Sequence, residues 1–189
     1  MTRTIILAIA STALVSGCVN STRLVATWTD PTATPIHLTR TLAVYMSKEE
    51  GMRRMVEDKL AARLPGGVPS YRIIPDEEVS NIDAVRQRVA SGGFDGAVVM
   101  RLVGVNTEVV GTIPRDFYGY WNYWGYAGDP AYYTTEKLYS VESSLYSFAD
   151  GRMIWMGRSE TVNPKNANKL AEYAVNFAAN NIKRSGFIK

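Results

Sequence analysis

Few residues in this chain could carry chemistry, and their spacing decides between the options. Cys18 is the only cysteine among 189 residues, and His37 is the only histidine. A lone thiol allows no internal disulfide, so a domain of this size has to rely on its packed core. A Ser–His–acid triad would have to recruit His37, which sits in a Thr/Pro-rich segment far in sequence from any obvious partner. Metal sites need several His or Cys ligands or clustered acids. The one dense acidic run, Asp76-Glu77-Glu78, stands where a helix start would set it against the helix dipole. Glycine pairs at Gly66-Gly67 and Gly92-Gly93 follow helical patterns and precede strand patterns. A phosphate or dinucleotide loop needs the reverse order, a strand, then glycines, then a helix N-terminus. These pairs therefore read as helix C-caps. No catalytic residue, no metal and no resident cofactor is expected, and the chain is not expected to be an enzyme.

The surroundings of Cys18 are more specific. A short basic start, Met1-Thr2-Arg3-Thr4, precedes an apolar run over residues 5–15, the layout of a secretory signal. Eleven residues fall well short of the ~20 that cross a bilayer as a helix. Val15-Ser16-Gly17-Cys18 resembles the lipobox of bacterial lipoproteins. The resemblance implies cleavage before Cys18, a diacylglycerol on its sulfur and an acyl chain on the new amino terminus. Those chains would be the only groups covalently added. An unpaired cysteine in an exported protein is otherwise a reactive liability. Val19 and Asn20 follow the cysteine, which in enteric lipoproteins implies the outer membrane, on its periplasmic face.

Apolar residues make up 46% and charged residues 21% of the chain, ordinary values for one packed domain. Without Arg3 the mature chain carries 20 basic and 18 acidic side chains, a net charge of +2. Lysines and arginines are scattered among acids, whereas nucleic-acid binders cluster them on one face; no nucleic-acid partner is expected. Arg53-Arg54 lies beside Glu49, Glu50, Glu57 and Asp58 and reads as a solvated helix face.

Elements that would position these residues follow from periodicity. Residues 1–17 form the signal, 18–38 a lipidated tether with an edge strand near 24–28, and 39–189 a single domain. Residues 41–46 and 70–74 read as strands, with a helix between them capped by Ser47 and Glu50. That helix presents Met52, Met55, Val56, Leu60 and Leu64 on one face. A second helix starts near Asn81, turns Ile82, Val85 and Val89 inward, and ends at Gly92-Gly93. A long strand opens at residues 97–100, and residues 135–148 alternate as a half-buried strand. Asp150-Gly151 marks a hairpin turn, 153–156 starts the return strand, and Leu170 to Ile182 carries the stripe of a last helix. The expectation is an α/β (α+β) domain with a mixed sheet of about five strands in the order β-α-β-α-β-β-β-α, its early strands parallel.

That order resembles the N-terminal domain of the translocation protein TolB and the penicillin-binding-protein activator lipoproteins. Two stretches carry the resemblance. Phe94-Asp95-Gly96-Ala97-Val98-Val99 is similar to a strand entry of these families, and residues 145–155, ending in Trp155, to their hairpin. Ser147 stands where many relatives place an acid. These motifs are structural, so the resemblance implies fold rather than activity.

The most unusual stretch is residues 113–133. Phe117, Tyr118, Tyr120, Trp121, Tyr123, Trp124, Tyr126, Tyr132 and Tyr133 are nine of the chain's twenty aromatic residues. One reading is an exposed surface for a partner protein, sugar rings or lipid headgroups. Others are a local aromatic cluster covering one end of the sheet, and plain disorder. Together these features point to a membrane-anchored binding or accessory module with an envelope protein partner, or alternatively to a peptidoglycan- or polysaccharide-binding lipoprotein.

Overall fold

The computed structural model describes residues 22–33, 37–111 and 133–188. Six strands form one mixed sheet in the order β1-β6-β5-β4-β2-β3. They are β1 (Thr22–Thr29), β2 (Thr41–Tyr45), β3 (Val68–Pro69), β4 (Gly96–Gly111), β5 (Tyr133–Ser147) and β6 (Arg152–Val162). Among the described residues three helices pack against it: α1 (Glu50–Ala61), α2 (Ile82–Ser91) and α3 (Ala167–Arg184). The α/β class and the mixed sheet are as expected. The edge strand is β1, the sixth strand, antiparallel to β6. As the crossover helices require, β2 is parallel to both β3 and β4.

Strand alternation divides the core. Ala43, Val98, Leu145 and Trp155 face α1 and α3, where Leu60, Val175 and Ile182 meet them. Leu42 and Ala97 point the other way, onto Phe94, Ile74 and the α2 residues Val85 and Val89. Burial of each large side chain contributes ~1.5–3 kcal/mol, and the larger cluster supplies most of that. Gly157 leaves room for Trp155, since a Cβ there would lie 2.6 Å from the indole ring.

Four expectations are corrected by local chemistry. The strand expected at residues 70–74 is confined to Val68–Pro69, and Ser70–Arg72 forms a 3₁₀ turn. The cause is Glu57, whose carboxylate accepts hydrogen bonds from the Ser70 hydroxyl at 2.7 Å and the Tyr71 N–H at 3.0 Å. Ser47 and Glu50 form no capping box. Glu49 holds the N-cap position without a side-chain bond, the Ser47 hydroxyl accepts from the Glu49 N–H, and Glu50 pairs with Arg54 instead. Ile82 is 64% exposed rather than turned inward, because Asn81 caps α2 through the Ala84 N–H and the first turn stands clear of the sheet. Finally, the Arg53–Asp58 stretch is only partly a solvated face, since Glu57 is fully buried.

Turn residues behave as their types demand. Gly93, at φ +66°, follows the α2 C-cap, and Gly151, at φ +65°, closes the β5–β6 hairpin. The Asp95 carboxylate accepts from the Thr39 hydroxyl and from the Thr39 and Arg40 N–H groups, pinning the entry to β2.

Strands β4 and β5 outrun the sheet. The last β2 pair is Tyr45↔Met100, and the last β6 pair is Val162↔Leu138. The β4–β5 ladder continues to Gly111↔Tyr133, so its outer part is a two-stranded ribbon.

Candidate functional site

Open α/β sheets collect ligands beyond the carboxyl ends of their parallel strands, and two concavities with mostly apolar linings lie at that edge. Tyr45 ends β2, and the chain turns through residues 46–49 into α1. On the α1/α3 side, a cavity of about 490 Å³ opens under this turn. Met52, Val56, Met100, Val141, Leu170 and Ala174 line its floor, and Tyr45, Ser47, Glu49, Tyr139, Lys165 and Asn166 surround them with polar atoms. Across β2, a second cavity of about 560 Å³ runs between Leu42, Val44, Ile74, Val85 and Val89, with Lys48, Arg53, Glu57 and Ser70 as its polar groups.

The elements around the first cavity are fixed by hydrogen bonds. Asn166 caps α3 by accepting from the Lys169 N–H at 2.9 Å. The N-termini of α1 and α3 both open on the cavity, so two positive dipole ends face it. Burial, reinforced by the charge of Glu49, pushes the Tyr45 hydroxyl above its ordinary pKa, so it is a neutral donor at physiological pH. Beneath the turn, Glu57 accepts from the Tyr45 N–H at 3.1 Å, and the Arg53 guanidinium lies 3.9 Å from the same carboxylate. Arg53 continues to Asp76 at 2.5 Å. This network, buried at Glu57 and reaching the surface at Asp76, holds the lip between the two cavities. An apolar floor with a few convergent polar groups suits recognition of an apolar body carrying a polar end.

Residues singled out by type do not assemble into this site. His37 is exposed and lies in a shallow groove beside Ala62, Arg63 and Pro65. Asp76 pairs with Arg53, and Glu78 with Arg88 at 2.5 Å; neither serves the α2 N-terminus, which Asn81 caps. Among the described residues no group of three or more His, Asp or Glu side chains is placed to hold a metal ion. Cys18 and residues 117–132 of the aromatic segment lie outside the described residues, and Tyr133 opens β5. Among the described residues no helix is long and apolar enough to cross a membrane.

No protein-family model matches the chain, and no curated protein is found to be similar. Among solved structures it is similar to a PelC dodecamer from Paraburkholderia phytofirmans, at 8% identity and a TM-score of 0.45. That match covers 83% of this chain and 94% of the other. Lipoprotein GNA1162 from Neisseria meningitidis matches at 12% identity and a TM-score of 0.38, over 79% of this chain and 99% of that one. Likenesses of this size assign neither a family nor an activity.

Sequence reasoning missed Glu57 and the cleft. Glu57 sits one residue after Val56 on α1, and only its place opposite the Ser70 turn marks it as an interior group. The cleft draws on residues from 45 to 174, and only tertiary packing brings them together.

Proposed function

We propose that the chain is a lipid-anchored envelope protein that works by binding rather than catalysis, in an accessory role in envelope assembly or maintenance. Its signal layout and the Val15-Ser16-Gly17-Cys18 stretch support an acylated Cys18 at the periplasmic face of the outer membrane. The observation that carries the binding reading is the cleft beside Tyr45, with its apolar floor and ring of polar groups. A protein partner would seat an apolar side chain there and hydrogen bond to Ser47, Lys165 or Asn166.

Ala167 lies at the mouth of the cleft and is exposed, so Ala167→Trp fills the opening without disturbing the core. The variant should keep its melting temperature and lose its in-cell crosslinked partners. An unchanged partner set would exclude the cleft. Acyl labelling tests the anchor separately: Cys18→Ser should lose the label and leave the membrane fraction.

The aromatic density of residues 113–133 favours one further reading, a glycan-stacking platform. Retention on isolated sacculi, abolished by replacing Tyr120, Trp121, Tyr123 and Trp124 with serine, would select it. Absence of retention removes it.

A further inference from the structure

Register places the start of β1 and the outer ribbon at the same edge of the sheet. Thr22 pairs with Thr161, Thr161 with Tyr139, and Tyr139 with Val105. These four residues make one transverse row. From it β1 runs toward Thr29, away from the ribbon, so Thr22 is the residue of β1 nearest the ribbon. Beyond the row, β4 continues six residues to Gly111, about 20 Å at ~3.3 Å per residue. Cys18 precedes Thr22 by four residues, a reach of at most ~14 Å. A lipid on Cys18 therefore keeps a bilayer close to the edge from which the ribbon projects.

The ribbon itself is two-sided. Directly paired residues share a face, so Val105, Thr107 and Val109 lie with Thr135, Lys137 and Tyr139, while Glu108 and Glu136 lie opposite each other on the other face. Val105 is 50% and Val109 70% exposed. Lys137 is exposed and makes no ion pair among the described residues. Exposed valines beside a free cation suit the interface of a bilayer with anionic headgroups, and the acidic pair on the reverse face is held away from it. The sequence joining the two strands is rich in Trp and Tyr, the residue types that gather at membrane–water interfaces.

We propose that the outer β4–β5 ribbon is a second membrane contact, its Val105–Val109–Lys137 face lying against phospholipid headgroups on the side of the Cys18 anchor. The proposal rests on the reading of Cys18 as lipidated. Two contacts would orient the domain, whereas a lipid on a short tether alone would leave it free to tumble.

Because the chain has a single cysteine, the test is clean. The full chain carrying Val109→Cys is matured in a bacterial host and labelled with a maleimide fluorophore. It is then reconstituted in phosphatidylethanolamine–phosphatidylglycerol vesicles bearing nitroxide acyl chains. Asp150→Cys, in the exposed turn at the far end of β5, is the control, and the unsubstituted chain reports the state of Cys18. The expected result is an unreactive unsubstituted chain, quenching several-fold stronger at 109 than at 150, and loss of that difference on adding Val105→Glu. Equal quenching at both positions with Cys18 unreactive overturns the membrane contact alone. Uptake of maleimide by the unsubstituted chain overturns the anchor reading, and the proposal with it.

Discussion

The Glu57 carboxylate accepts a hydrogen bond from the Ser70 hydroxyl at 2.7 Å inside the protein, with the Glu57 side chain wholly excluded from solvent. The same carboxylate holds the Tyr45 and Tyr71 N–H groups. One side chain of α1 thus joins the end of β2 to the turn after β3, at the lip of the cleft.

Replacing Glu57 by alanine leaves two backbone N–H groups and the Ser70 hydroxyl without their acceptor and takes away the carboxylate 3.9 Å from the Arg53 guanidinium. Breaking a buried charged network of this kind costs about 3–5 kcal/mol, read by urea unfolding. Ser70→Ala removes a single hydrogen bond and should cost about 1 kcal/mol. Equal losses in the two variants would contradict the central place of Glu57.

Apolar residues that look alike in sequence should separate sharply. Ile154 is fully buried beside Trp155, and Ile154→Ala should cost about 2–5 kcal/mol. Ile82 is 64% exposed, and Ile82→Ser should change stability by less than about 0.5 kcal/mol. A large loss at Ile82 would mean that α2 packs differently.

Glu142 links three strands on the face away from α1 and α3. Hydrogen bonds from Arg158 at 2.8 Å and from Arg101 at 2.6 Å reach its two carboxylate oxygens. Arg158 first, then Arg101, hold its pKa below the ordinary glutamate value against the opposing effect of burial. A depressed folded-state pKa adds stability above the unfolded-state value, and that stability is lost as pH falls through the folded one. Glu142→Gln should therefore flatten the acid limb of the stability–pH curve and lower stability at neutral pH. Unchanged acid unfolding would show that the network contributes nothing.

Much of this architecture can be read along the chain, and the exceptions share a cause. The Asp150-Gly151 turn, the Asn81 cap and the β4, β5 and β6 strands depend on neighbours in sequence, so local chemistry reveals them. Residues 70–74 look like a strand because Tyr71, Ile73 and Ile74 are strand-favouring types and Pro75 ends the run, but a carboxylate thirteen residues back turns the backbone. Ser47 and Glu50 have the spacing of a capping box, yet Arg54 takes Glu50. The cleft and the ribbon depend on register and on packing between distant elements, which no local pattern encodes.

The most direct test of the binding reading places a photo-crosslinking residue at Lys165, exposed at the rim of the cleft, and at Asn180, exposed farther along α3. In intact cells, position 165 should give a discrete crosslinked partner that Ala167→Trp removes, and position 180 should give none. Crosslinks at 180 but not at 165, or crosslinks at 165 that survive Ala167→Trp, would contradict the cleft as the binding site.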